Sequence, residues 1–392
     1  MNTPPGRRRA QIYTALFYVP MFGFLGAYLP FWPVWLEDWG LTPGEVGIYV
    51  SLGIATRAVA GLGLPMMADQ MGQRRATLLL ISLASAALVA AHLMIETRIT
   101  LIVVTLVLGT LLSGIIPLGE ALGVGAAHRF QFAYAIPRAA GSVAFLIASL
   151  VVGALIARMG ADAALWWVVV LLVITGLMAR AHPGGGVIAG QRPPSFGEIG
   201  RLLVEPTFAV FVLASSLCLS SHAVFYAYAS VHWRSLGLDE GLIGALWAFS
   251  VAFEVLVMLA FGPYLMSRIG PIGALALSGA GGILRWGAMM FDPTGPLLWV
   301  LQMGHSLTFV AGHLGAMAFI AAAVPERLGA SAQGALMGPG GGVTSALAVL
   351  LAAAFYPALG GMTYGIALVM SAAGLGLTML LGRRWRGRVL AV

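Results

Sequence analysis

Glu120 and Arg138 stand eighteen residues apart, each inside its own apolar stretch, with His128 and Arg129 in the short turn between them. An ionised side chain sunk in hydrocarbon costs about 3 kcal/mol or more, so it usually faces a partner or a watery cavity. A carboxylate and a guanidinium on neighbouring antiparallel segments therefore read as partners lining a path. Five more ionisable residues lie well inside apolar runs: Arg57, His222, Glu254, Arg285 and His305. His313 follows His305 two turns on, on the same helical face. His222 and Tyr226 share a face at i, i+4, and Trp247 and Glu254 share one at i, i+7.

Each of these residues also has a plainer reading. Glu120 with Arg138 could be a static ion pair, though such pairs are costly in a membrane unless used. Glu254 has no sequence-adjacent partner, which suits a carboxylate that takes and releases a proton; Arg285 could instead hold it ionised, making both static. Arg57 could snorkel toward the interface. The histidines could be hydrogen-bonded packing groups, and His92, near the end of a run, reads as interfacial. Other chemistries are absent from the sequence. No Cys/His cluster has metal-ligand spacing, no Gly-rich phosphate loop with lysine exists, and no nucleophile elbow appears. The reading is of a protein that is not an enzyme and that uses no cofactor and no metal; without a nucleotide site, its energy must come from a gradient.

The elements that would position these residues are long apolar helices. The chain is 60% hydrophobic and 9% charged, with mean hydropathy +0.94, which leaves little room for a soluble globule. Apolar runs fall at about 10–35, 44–67, 76–95, 99–124, 136–158 and 163–181, then at 205–230, 241–266, 273–291, 296–323, 335–357 and 363–382. Each is about 20 residues, enough to cross a bilayer as helix. The expectation is an all-α membrane protein of twelve spans in two six-helix bundles, 1–181 and 205–392. The connector 182–204 between them is polar and rich in proline and glycine, too broken to be a domain.

A net charge of +7 and a pI near 10 raise the question of nucleic acid. The distribution answers it. All the basic charge is arginine, and it sits in alternate connectors rather than on one patch. Arg98, Arg158 and Arg234 fall on one side, Arg57, Arg138 and Arg285 lie within spans, and the other fifteen arginines fall on the side of the N-terminus. That bias predicts both ends in the cytoplasm, as for a cell inner-membrane protein. Arg7-Arg8-Arg9 before the first run resembles an export signal, but the run is too long and lacks a cleavage site, so it reads as a retained helix. The single cysteine, Cys218, permits no intrachain disulfide.

A repeat relates the halves. Gly40-Leu41-Thr42-Pro43-Gly44-Glu45-Val46-Gly47 matches Gly237-Leu238-Asp239-Glu240-Gly241-Leu242-Ile243-Gly244 at a displacement of 197, which also carries Arg57 onto Glu254. One residue later in register, Gly72 falls on Gly270. Duplicated six-helix halves with a midplane site are the physical basis of alternating access. Trp35 and Trp39 read as members of an interfacial aromatic belt. Gly334, Gly338 and Gly342, with Pro339, read as a close helix approach with a bend.

Taken together, these residues resemble the major facilitator superfamily, and within it a phenylpropionate permease-like branch related to lactose permease-type proton symporters. The resemblance runs through Leu29-Pro30-Phe31-Trp32, Pro117-Leu118-Gly119-Glu120, Arg138, Gly244-Ala245-Leu246-Trp247, Glu254, Arg285-Trp286-Gly287, His305 and His313-Leu314. The gap from Glu120 to Arg138 equals that between the sugar-binding acid and arginine of the lactose-type carriers. The gap from Arg285 to His305 equals that between their coupling arginine and histidine. The resemblance thus implies that Glu120 and Arg138 bind substrate while Glu254, Arg285 and His305 couple to protons. It breaks where the lactose type carries a proton-bearing glutamate and this chain has Thr308, which leaves Glu254 or Glu120 to take the proton, or a carrier not driven that way. The superfamily's loop signature also survives only in part, as Asp69, Gly72 and Arg74.

The expected function is proton-coupled uptake of a small organic solute, an aromatic or short-chain carboxylate, because three intramembrane arginines outnumber Glu120 and Glu254. Expected around the substrate are Glu120, Arg138, Arg57, His222 and Tyr226, and in coupling Glu254, Arg285, His305 and His313. The expected partners are a small-molecule substrate, protons and the lipid bilayer, with no nucleic acid, and the chain acts as a monomer. Two alternatives stay open: a proton symporter of a neutral sugar or nucleoside, and a transporter-like sensor or scaffold, which would need an output domain that the connector and tail do not supply.

Overall fold

In hydrocarbon every backbone N–H and C=O must be satisfied within its own segment, and helices do this for apolar runs of this length. The computed structural model describes residues 6–185, 196–325 and 328–391, and among them there is no strand. The first six traverses are carried by α1 (Arg7–Asp38), α2 (Pro43–Ala55) with α3 (Arg57–Gln70), α4 (Arg74–His92), α5 (Arg98–Phe130), α6 (Ala135–Met159) and α7 (Asp162–Arg180). A short helix, α8 (Phe196–Val204), precedes α9 (Pro206–Ser220) and α10 (His222–Ser235). Then come α11 (Glu240–Met289), α12 (Gly295–His305), α13 (Ala311–Ala323), α14 (Gly329–Ala335), α15 (Gly341–Leu359) and α16 (Tyr364–Arg384).

Ten helical stretches among the described residues are long and apolar enough to cross a membrane. The last, Ser331–Arg384, reverses at Gly360–Thr363 and so contains two traverses. α11 breaks at Gly270, and its second part, 271–289, supplies another. Among the described residues the traverses therefore number twelve, as the sequence predicts. Exposed Val103, Val107, Leu256, Leu259 and Leu351 mark lipid-facing surfaces.

Local sequence sets the helix ends. Thr42 and Glu45 form a reciprocal capping box that starts α2, with Pro43 at its first position. Glu205 caps α9 by accepting from the Phe208 N–H at 2.6 Å. The repeat is visible in backbone angles: Gly40 and Gly237 have φ of 106° and 87°, and Gly72 and Gly270 have 64° and 62°. These left-handed values suit glycine and stop a helix at equivalent points of each half.

By contact density the chain forms two compact units. One holds residues 1–41, 59–189 and 233–248, the other 42–58, 190–232 and 249–392. In the second unit α2 packs on α15, where the Ser51 hydroxyl donates to the Ala346 carbonyl at 2.8 Å. A Cβ on Gly342 would lie 3.0 Å from the Ala58 nitrogen, so the close approach expected of this glycine row is seen at Gly342. The bend expected at Pro339 takes the form of a π-helical turn, Leu336–Gly340, and a second π turn, Ser306–Val310, follows His305.

Three expectations are corrected. The turn after α5 begins at Gln131, so His128 and Arg129 belong to the last helical turn, where basic side chains favour the negative end of the helix dipole. Trp35 is buried rather than interfacial, stacked on Trp32 and donating to Asp162 Oδ1 at 2.8 Å. His92 is also buried, edge-on to Trp32 and Trp35, because the end of α4 packs on α7 and α5 rather than meeting the interface. The connector expected at 182–204 includes α8, while residues 186–195, including Arg192, lie outside the described residues, as does Arg327. Trp39 is half-buried and donates to the Ile95 carbonyl at 3.0 Å.

Candidate functional site

In the first unit α5 and α6 bring Glu120 to Arg138, with Glu120 Oε1 2.8 Å from Arg138 Nε. The pair is half-buried, with side-chain exposures of 26% and 35%. From α1, the Tyr18 hydroxyl donates to Glu120 Oε2 at 3.1 Å and lies 3.4 Å from the Tyr134 hydroxyl. The Arg138 guanidinium also lies over the Phe22 ring, 3.9 Å from its centroid, and reaches the Ser142 hydroxyl at 3.4 Å.

Two glycines make room for this arrangement. A Cβ on Gly123 would fall 1.8 Å from Tyr18 Oη, and one on Gly141 2.4 Å from the Phe22 ring. Tyr18 and Phe22, one turn apart on α1, can press on the ion pair because these positions have no side chain. Sequence reasoning missed both: an aromatic pair at i, i+4 on an apolar helix looks the same as ordinary core packing.

The second unit holds a denser cluster. Arg285 on α11 donates through Nη1 to His305 Nδ1 at 3.2 Å and to Thr308 Oγ1 at 3.3 Å, and through Nε to the Leu301 carbonyl at 2.9 Å. Since guanidinium only donates, His305 Nδ1 is an acceptor and its proton sits on Nε2. That nitrogen faces Glu254 Oε2 at 3.3 Å. The result is a guanidinium–imidazole–carboxylate chain, with Arg285 and His305 buried and Glu254 nearly so.

His222 joins the same cluster. Its Nε2 lies 2.8 Å from Thr308 Oγ1 and its Nδ1 3.0 Å from the Leu219 carbonyl, which places the proton on Nδ1. Thr308, where the lactose-type pattern has glutamate, is thus the neutral joint between Arg285 and His222. Aromatic rings enclose the cluster: the Arg285 guanidinium lies 4.8 Å from the Phe225 ring centre and 4.5 Å from that of Trp286. His305, Phe309 and His313 form a continuous stack with spacings of 5.4 and 5.9 Å. The π turn at 306–310 lies at the centre of this array, a common position for such bulges at functional sites.

The sequence-predicted residues therefore sort into two sets. Glu120 and Arg138 are together. Glu254, Arg285, His305 and His313 are together, and His222 and Tyr226, expected beside the substrate, lie with them, the Tyr226 ring 6.3 Å from His305. Arg57 opens α3, exposed, within electrostatic reach of Tyr226. Among the described residues no group of three or more His, Cys, Asp or Glu side chains is arranged to hold a metal.

The model of the MFS_1 like family matches residues 12–365. The chain is 30% identical over 319 residues to a probable 3-phenylpropionic acid transporter of Escherichia coli (strain K12), covering 79% of this chain and 82% of that one. It is 28% identical over 295 residues to a maltose permease of Geobacillus stearothermophilus, covering 74% and 72%. Among solved structures, the nucleoside transporter NupG superposes with a TM-score of 0.77 at 17% identity, covering 96% of this chain and all of that one. A bacterial homologue of the human lysosomal transporter Spinster, inward-facing and occupied, gives 0.71 at 14% identity, covering both chains completely. At these identities the structural likeness is one of fold.

Proposed function

The chain belongs to the MFS_1 like family of major facilitator transporters, multi-pass membrane proteins rather than enzymes, and we propose that it performs proton-coupled uptake of an aromatic carboxylate by alternating access. The observation that carries this reading is the buried Arg285–His305–Glu254 chain. With Glu254 ionised, its charge and that of Arg285 cancel. A proton on Glu254 leaves one net positive charge, and a monocarboxylate beside Arg285 returns the sum to zero. In a low-dielectric interior the occupied states with balanced charge are favoured by several kcal/mol, so anion and proton bind as a pair. That is the thermodynamic requirement of symport.

The rings of Phe225, Trp286, Phe309 and His222 around this charge suit an aromatic solute, in agreement with the relative named for 3-phenylpropionic acid. Glu120 and Arg138, paired and still half-exposed, offer hydrogen bonds but no net charge. The carrier works as a monomer in the cell inner membrane with both ends in the cytoplasm. Uptake of labelled 3-phenylpropionate into proteoliposomes tests the proposal: accumulation should follow an imposed pH gradient and collapse when it is dissipated. Accumulation that ignores the gradient removes the symport reading.

A neutral sugar or nucleoside is the second reading. It is favoured by the Glu120–Arg138 bond of 2.8 Å, which leaves no uncompensated charge in that pair. Uptake of maltose or uridine in preference to aromatic acids would establish it.

A further inference from the structure

We propose that Arg285 is the residue on which the carboxylate of the substrate docks, through its Nη2, together with the Tyr364 hydroxyl and the Gln302 amide. This rests on the reading of the protein as an aromatic-carboxylate carrier, and it assigns to one spot what that reading leaves open.

Of the twelve buried side-chain polar atoms without hydrogen-bond partners among the described residues, four lie on Arg285 and two neighbouring helices: Arg285 Nη2, Gln302 Nε2 and Oε1, and Tyr364 Oη. Arg285 is 3% exposed, Gln302 fully buried and Tyr364 2% exposed. Native structures leave few such groups unmade, and a charged donor is the costliest to strand. Every other nitrogen of the guanidinium is accounted for: Nε binds the Leu301 carbonyl, and Nη1 is shared between His305 and Thr308.

Arg285 is linked to the elements that carry the other two side chains. The bond to Leu301 ties the guanidinium to α12 at the residue beside Gln302. Tyr364, at the start of α16, is stacked on Trp286 at 6.2 Å with rings 7° apart, while the Arg285 guanidinium lies over Trp286, and Tyr364 and Arg285 are within electrostatic reach. Three of these atoms, on guanidinium, phenol and amide nitrogen, donate, and a carboxylate only accepts, so they suit an anion; Gln302 Oε1 is an acceptor and takes no part in that contact. The adjoining Phe225 and Trp286 give the substrate's ring an apolar bed.

The position also explains coupling. Arg285 would hold the substrate through Nη2 and the His305–Glu254 proton site through Nη1, so both ligands would act on one guanidinium. Neither Gln302 nor Tyr364 has a role in the chain that links Arg285 to Glu254, which makes them separable from proton binding.

The test measures binding of 3-phenylpropionate and of its uncharged analogue 3-phenylpropanamide to the purified full-length protein in nanodiscs, by calorimetry. The wild type should prefer the acid. Tyr364→Phe and Gln302→Ala should each weaken acid binding about tenfold, the scale of one lost hydrogen bond to a charged group, and weaken binding of the neutral amide by less. Arg285→Gln should erase the preference, and thermal unfolding of each variant identifies any that fails to fold, the two milder variants then deciding. If the folded variants keep the wild-type preference for the acid, these donors are merely hydrated and the docking assignment is overturned. If the wild type binds neither compound, the aromatic-carboxylate reading falls, and the assignment with it.

Discussion

Glu254 meets the imidazole nitrogen of His305 that carries the proton, and the other nitrogen of that ring meets Arg285. Nothing in this geometry requires the carboxylate to hold substrate; its neighbour is a proton-bearing ring. Glutamine at this position keeps the shape and the hydrogen bond but cannot gain or lose a proton. Glu254→Gln should therefore abolish gradient-driven accumulation in proteoliposomes while counterflow exchange continues. Unchanged accumulation would take the coupling role away from Glu254. The residue scale was partly legible in advance. Placement in neighbouring apolar runs paired Glu120 with Arg138, because charges in hydrocarbon have few places to go, while the grouping of Arg285 with His305 came from the resemblance to the lactose-type carriers. Tyr18, Phe22, Gln302 and Tyr364 were not legible, since a polar tip on an apolar helix has the same sequence appearance whether it is satisfied or not.

At the scale of the element, interruptions in the helices do the positioning. α10 starts afresh at His222, the π turn follows His305, and α15 reverses into α16 through Gly360–Thr363. That reversal is held from outside by the His232 ring, which bridges Asp292 Oδ1 at 2.8 Å and the Tyr356 hydroxyl at 3.0 Å. A Cβ on Gly361 would fall 1.8 Å from Asp292 Oδ1. Gly361→Ala should break the clasp and destabilise the protein by about 1 kcal/mol, the scale of one hydrogen bond whose carboxylate is half-exposed to solvent. Thermal unfolding in detergent reads this directly, and a midpoint equal to the wild type would show that the clasp contributes nothing. The sequence marked helices by length and ended them at glycine and proline. It could not mark the π turns, which arise where packing forces one extra residue into a continuous helix.

For the whole molecule, stability should depend on pH through His182. This ring follows α7 at the edge of the membrane-spanning part, fully buried against Phe17 and Tyr13. Burial first, and the Arg75 charge second, hold it well below the ordinary imidazole value, at about 3. The unfolded chain binds a proton there near pH 6.5 and the folded chain does not. Stability is thus complete above about 6.5 and is lost progressively as pH falls toward 3, by about 2 kcal/mol at pH 5. His182→Asn should flatten this fall between pH 7 and 5 in thermal unfolding; an identical slope would overturn the assignment. The sequence by itself determined the twelve traverses, the bias of positive charge and the duplicated halves, because bilayer thickness and the cost of a buried charge act on any chain of this composition in the same way. Only the tertiary structure decided that His222 and Tyr226 join the Arg285 cluster, that Trp35 is buried and that Arg285 keeps a donor unused. Those outcomes depend on which faces of separate helices meet, and a helix's own periodicity carries no record of its neighbours.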